Sequence, residues 1–288
     1  MTQALVFSPT PAPAQYVPDA SERIEQLAWA DLYEGAGGPG ADSSWGVRPL
    51  GSSVVLRAPG IDHVFFNRVI GFGCDPDPER TLEAVHRSYR RLGVNRYFLH
   101  LSPRADSSAR AAVAGRLTRY HRSWVKLGRS AGPVPASRSA LCVRRAEPRD
   151  REAFAEVLRQ GFGWPSAADP LWHAMLERPR WYCFFAQQGK RIAAAATLFV
   201  DGRVGYLASA ATLPEYRQQG AQSVLLEQRV RAAAALGCRM IYSETGEALA
   251  GEANSSERNM RRAGFKPLYV RENFAAAGST WPAPRLAR

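Results

Sequence analysis

Arg217 and Gly220 are the residues whose type and spacing point most directly to chemistry. They stand in "LPEYRQQGAQ", between an apolar run ending near Thr212 and a long amphipathic pattern that begins straight after the glycine. The first turn of a helix leaves backbone N–H groups unpaired and carries the positive end of the helix dipole. A glycine there lets the backbone approach an anion closely, and an arginine just before it adds a charge or braces the loop. The chemistry on offer is phosphate binding. An ordinary strand-to-helix turn can hold the same two residues, so spacing alone leaves both readings open.

Such a site needs a strand before the loop and a helix after it. Trp181 to Ala186, Arg191 to Val200 and Arg203 to Ala211 are apolar, β-rich runs joined by "QQGK" and "VDGR", and Asp201-Gly202 predicts a type I′ hairpin between antiparallel neighbours. The helix is expected to bury Ala221, Val224, Leu225, Ala232, Ala235 and Leu236 and to stop at Gly237. Upstream, "PRDREAFAEVLRQGFG" and "SAADPLWHAMLERP" read as helices, the second with Ser166 as N-cap.

The same plan occurs twice. Leu82 to Leu101 and Leu225 to Glu244 each read as an amphipathic helix, a Leu-Gly stop and a short strand, and at that offset "HVFFNRVI" falls on "LASAATLP", a strand before each helix. This predicts a duplicated fold: a domain over 1–130, a Gly/Pro/Ser-rich linker over 131–138 and a second domain over 139–288. In the first half the place of Gly220 is taken by Pro76, in "GFGCDPDPER". Proline lacks the N–H, and Asp75 and Asp77 repel phosphate, so that half is expected to shape an acceptor cleft or to give structural support.

Composition narrows the function. The formal charge of +12 is carried mostly by dispersed arginines, which reads as a solvated surface receptive to small anions rather than as a specific nucleic-acid interface. Cys74, Cys142, Cys183 and Cys238 form no CxxC pair and the five histidines no HxH or HxxxH spacing, so neither a metal site nor a disulfide framework is expected. The first residues lack a basic-then-apolar leader, and no apolar run approaches the ~20 residues needed to cross a bilayer. A cytoplasmic protein without a membrane partner is the expectation.

"PEYRQQGAQ" after a β-meander resembles the acyl-CoA pyrophosphate loop of the GCN5-related N-acetyltransferase (GNAT) superfamily, Arg/Gln-x-x-Gly-x-Gly/Ala. Arg217 and Gly220 match, and Gln222 departs from the final small residue. "GCRMIYSETG" resembles the family's fifth strand, and "NSSERNMRRAGFKPLYVRENF" its following helix, Gly-Phe turn and last strands. The resemblance covers about Ser139 to Phe274. It implies an α/β (α+β) fold with a mixed, mostly antiparallel GNAT-type sheet flanked by helices, here duplicated with a degenerate first half.

The same resemblance implies acetyl transfer from acetyl-CoA, as co-substrate and without a metal, to a primary amine of a small molecule or peptide. Arg217, Gln219, Gly220, Ala221, Gln222 and Ser223 would hold the pyrophosphate, main-chain N–H groups around Ala210 and Thr212 the oxyanion, and Asn254 and Asn259 the pantetheine arm. Glu244, at the end of the fifth strand, is the expected base, since an alkylammonium titrating near ~10 must lose a proton before it attacks; a structural cap or pair is the other reading of Glu244. The family's usual tyrosine acid is replaced by Met260, which leaves Tyr242, Ser243 or water. Helix capping would explain Asn254 equally well, packing Tyr242, and a charged helix face Arg258, Arg261 and Arg262. Trp164 and Trp172 suit acceptor stacking or a core. A non-catalytic acyl-CoA-binding or regulatory protein of this fold is the alternative function. Acceptor identity and homodimerisation stay open.

Overall fold

Two sheets of like strand order organise the residues described by the computed structural model: 20–37, 45–249, 251–252 and 254–276. The first half runs α1 (Ala20–Gly37), β1 (Gly46–Leu50), β2 (Ser53–Arg57), β3 (Arg68–Phe72), α2 (Pro78–Arg90), β4 (Phe98–Leu101), α3 (Ser107–Ala114), β5 (Thr118–Arg119) and β6 (Trp124–Ser130). The second runs β7 (Cys142–Arg145), α4 (Arg151–Phe162), α5 (Asp169–Glu177), β8 (Trp181–Gln188), β9 (Arg191–Asp201), β10 (Val204–Leu207), β11 (Ala210–Thr212), α6 (Ala221–Ala235), β12 (Met240–Gly246), α7 (Ser255–Arg262), β13 (Lys266–Arg271) and β14 (Asn273–Ala275).

In each sheet an antiparallel meander ends on a parallel pair joined through a helix: β3 and β4 through α2, β10 and β12 through α6. The next strand comes from the opposite half. β6 lies between β12 and β13 in the second sheet, and β14 lies between β4 and β5 in the first. Val125 to Gly128 are buried, as a central strand requires, and β6 pairs along its whole length with β12, from Met240↔Ser130 to Gly246↔Trp124. The division near residues 131–138 therefore divides the chain and not the space. That segment carries no helix or strand, and its neighbours on either side belong to one sheet.

Each sheet has an outer core of its own. Leu82, Val85 and Tyr89 of α2 pack on the first sheet, and Leu225, Leu226 and Val230 of α6 on the second. A third cluster joins the halves, with Trp29 and Tyr33 of α1 meeting Trp172 of α5 and Phe199 of β9. Trp164 and Trp172 stack in this cluster, ring centroids 5.0 Å apart. Among the described residues no helix is long and apolar enough to cross a membrane.

Four local expectations are corrected. The hairpin turn is Gly202-Arg203, because Asp201 pairs with Val204, and only Gly202 has positive φ, whereas type I′ needs two such residues. Ser166 opens a short 3-10 turn and α5 is preceded by Ala168 without a side-chain cap. In α6 the buried stripe is Ala221, Leu225, Leu226, Arg229, Val230 and Ala233, leaving Ala235 and Leu236 exposed. Arg229 displaces the stripe by donating to the carbonyls of Leu225 and Thr197 (3.1 and 3.2 Å), and burial pushes its pKa down to about 9. The first-half strand begins only at Arg68, since Asn67 knits the preceding loop with bonds to Ala58 and Ile61.

Candidate active site at the splayed strands

The meander delivers a gap. β10 pairs with β12 from Val204↔Met240 to Leu207↔Ser243, and there the two strands part: β11 continues along β9 alone, while Glu244 to Gly246 pair with β6. The register on β9 slips by one residue between Tyr206↔Phe199 and Ala210↔Ala196, a bulge at Ala208-Ser209. Ala210 and Thr212 thus lie on an edge that faces no strand on the β12 side. Gly161 of α4 closes on this edge so tightly that a Cβ there would meet the Ala211 methyl at 2.4 Å.

The loop to α6 is shaped by two left-handed residues, Gln218 (φ 65°) and Gly220 (φ 79°). Gln218 is the only non-glycine with positive φ among the described residues, and a Cβ on Gly220 would meet that of Ser139 at 3.0 Å. The Ser139 hydroxyl donates to the Gln219 carbonyl at 2.8 Å, so the segment before β7 braces the loop. The first helical bond is Val224 N–H to Gly220 C=O, and no side chain caps α6. The N–H groups of Ala221, Gln222 and Ser223 are therefore free of helical partners. Arg217 is exposed beside them and makes no ion pair among the described residues.

The equivalent end in the first half is closed. Asp77 caps α2 by accepting from Arg80 N–H at 3.0 Å, and Pro78 follows it. Asp75 is buried against Ser52, which donates both N–H and hydroxyl to it. The strands there do not part, since Ser102 N–H reaches the Phe72 carbonyl at 2.7 Å.

Gln222 donates to the Ser256 hydroxyl at 3.0 Å and accepts from Asn259 at 2.6 Å, so the departure from a small residue ties α6 to α7. Asn254 caps α7, accepting from Glu257 N–H and donating to the Gly246 carbonyl. Both asparagines are thus engaged in structural bonds. Met260 is buried in the core under α6. Arg261 pairs with Glu257 along α7.

Glu244 ends in a charged cluster built from both halves. Its Oε2 accepts from Lys126 Nζ (2.9 Å) and Arg271 Nη2 (3.0 Å), and its Oε1 from the Tyr206 hydroxyl (3.2 Å). Lys126 also donates to Glu25 at 2.7 Å, while Arg271 bonds Glu25 and Glu22. Lys126, Glu25 and Arg271 side chains are wholly enclosed, whereas Glu244 keeps 12% exposure, so it is where the cluster meets the gap. Burial and then the charge of Glu25 push the Glu244 carboxyl up, against Lys126 and Arg271. Burial opposes the charge of Glu25 too, but Arg271 and Lys126 prevail and hold it well below the carboxylate range. Burial followed by the Glu244 charge keeps Tyr206 protonated.

Tyr242 is on the same face of β12 as Glu244, buried over Gly128, whose Cβ would lie 3.1 Å from the Tyr242 ring. Tyr206, its register neighbour on β10, is the phenol that touches Glu244. Sequence reasoning missed Tyr206. The available signal was its register: it is the last residue paired to β9 before the bulge.

The histidines give the fold an acid-side weakness. Burial, then the Arg96 charge, pushes His63 down to about 4; burial also lowers His86, and His100 lies well below its ordinary value. An unfolded histidine binds a proton near 6.5, which these folded ones refuse, so stability present above that pH is lost as pH falls towards 4. The thermal midpoint is expected to drop steadily between pH 6.5 and 4.5; a flat profile would mean these rings protonate in place.

A bulged meander parting from its parallel neighbour, with an uncapped helix crossing between them, defines the GNAT acyltransferase fold. The model of the Acetyltransferase (GNAT) family matches residues 150–254, from the start of α4 to the start of α7 in the second half. It resembles the solved GCN5-related N-acetyltransferase of Kribbella flavida at 17% identity and TM-score 0.63, covering 91% of this chain and 98% of that one. For the corresponding protein of Sphaerobacter thermophilus the values are 17%, 0.59, 90% and 93%. A tandem GNAT protein from the clavulanic acid biosynthesis pathway has 13% identity and TM-score 0.59, covering 89% and 94%. At these identities the likeness is one of fold. No curated protein sequence matches the chain.

Proposed function

We propose that the second half transfers an acetyl group from acetyl-CoA to a primary amine. The observation that carries this is the uncapped N-terminus of α6 behind two left-handed residues, set at the mouth of the parted strands. The N–H groups of Ala221, Gln222 and Ser223, with Arg217 and Gln219, suit a pyrophosphate, and bound acetyl-CoA would supply an activated acyl thioester. Gln222, Asn254 and Asn259, whose bonds tie α6, α7 and the end of β12 together, would meet the pantetheine arm in this reading.

In this reading the amine nitrogen forms the new C–N bond as the thioester C–S bond breaks. One proton leaves the nitrogen and one reaches the departing sulfur. N–H groups on the open edge at Ala210 to Thr212 meet the charge that develops on the carbonyl oxygen. Glu244 receives the proton: its raised proton affinity suits the task, and Oε1 has an acceptor position beyond the Tyr206 bond. Tyr206, held protonated beside it, orients that carboxylate and is the nearest phenol. Tyr242 keeps its packing role.

Release of free CoA thiol from acetyl-CoA in the presence of an amine panel tests the reading. Glu244→Gln is expected to lower kcat about a hundredfold while leaving acetyl-CoA affinity within about twofold. An unchanged kcat would remove Glu244 from proton transfer. Acetyl-CoA binding with no turnover of any amine would favour a binding or regulatory role for the fold.

A further inference from the structure

A cavity of about 250 Å³ opens to solvent on the first half, between the end of α2, the residues before β4 and the α3–β5 connection. Arg90 reaches it from α2 and Arg116 from the connection, and among the described residues no carboxylate lines it. Arg116 is bonded to Glu79 outside the lining at 2.8 Å, while Arg90 is exposed and makes no ion pair among the described residues. Glu83, the next acid along α2, is taken by Arg87 at 3.2 Å. Two guanidinium charges thus face one opening with Glu79 alone in return.

The other walls limit what can enter. Tyr89 and Tyr97, stacked with ring centroids 4.4 Å apart, form a buried apolar wall with Val94 and Leu117. The Tyr97 hydroxyl is joined to His86 Nδ1 at 2.6 Å. Burial, then the charges of Arg116 and Arg90, pushes His86 down, so the ring is neutral and both arginine charges converge on this wall. The carbonyls that end α2 are spent: that of Tyr89 accepts from Leu92 and Val94, and that of Arg90 from Gly93. What remains around the opening is positive charge. The volume lies below the ~300–1,000 Å³ of drug-sized sites, so the occupant is small. A carboxylate fills one guanidinium fork, whereas a phosphoryl group offers three oxygens and a second charge, enough for forks arriving from two elements.

We infer that this cavity binds a phosphoryl group, held between Arg90 and Arg116. The apolar wall beside them assigns it to a small phosphomonoester rather than to free phosphate. The site is separate from the closed helix start at Asp77, which lies at the other end of α2, and it stands whether or not the second half transfers acetyl groups.

Calorimetric titration of the full chain with ethyl phosphate, inorganic phosphate and propionate tests this. Ethyl phosphate is expected to bind about tenfold tighter than propionate, and Arg90→Gln and Arg116→Gln each to weaken it about tenfold. Both arginines are exposed, so the variants are expected to keep the wild-type thermal midpoint. Gly220→Asp, which closes the α6 loop to phosphate, is expected to leave the affinity within about twofold. The His86 ring resonances are expected to shift during the titration and to stay fixed in the variant carrying both arginine substitutions. Ethyl phosphate at least about threefold tighter than inorganic phosphate sustains the ester, while equal affinities assign free phosphate to the same site. No saturable binding of either phosphate overturns the inference. So does binding that leaves His86 unmoved, that ignores both arginine substitutions, or that is lost in Gly220→Asp alone, since the ion then sits elsewhere.

Discussion

Gly220→Asp is expected to weaken acetyl-CoA binding about a thousandfold, equivalent to about 4 kcal/mol. Three effects act together. Residue 220 has φ 79°, a conformation that opposes a side chain, and its Cβ would press on Ser139 at 3.0 Å. The new carboxylate would take the N–H groups at the start of α6 for itself and set a negative charge where the pyrophosphate belongs. The molecule already contains that end state at α2, where Asp77 caps the helix through Arg80 N–H. Calorimetric titration with acetyl-CoA is the measurement, with Gly220→Ala as a control that adds the Cβ without the charge and loses about tenfold. Undiminished binding by the Asp variant would remove this loop from the donor site.

Arg271→Leu is expected to destabilise the fold by about 3–5 kcal/mol, because it strands buried carboxylates. Arg271 is wholly buried and bonds Glu22, Glu25 and Glu244, so among the described residues its loss leaves Glu25 with Lys126 as its one cation and Glu22 with the neutral Tyr269 hydroxyl. It ends β13, with Glu272 alone between it and the start of β14 in the first sheet, so the loss falls where the halves are stitched together. Denaturant unfolding measures the effect. Adding Glu25→Gln is expected to restore part of it, since one unpaired charge is then gone. A single variant within about 1 kcal/mol of wild type would show that the cluster is open to water.

The meander, the glycine-ended helices, the glycine that opens α6 and the repeated plan were legible in the sequence, because local chemistry specifies each. Alternating apolar residues make strands, Gly93 and Gly237 adopt the left-handed stop at φ 67° and 81°, and a glycine after an arginine opens α6. The strand exchange was not legible. β6 and β14 are short segments whose periodicity says that they pair, and their partners are chosen only when both sheets are assembled. Nor was the charged layer, because Glu22, Glu25, Lys126, Arg68 and Arg271 read singly as surface residues. They become tolerable inside only where α1, β3, β6, β12 and β13 converge, since a buried charge is stabilised by opposite charges and rings brought from distant parts of the chain.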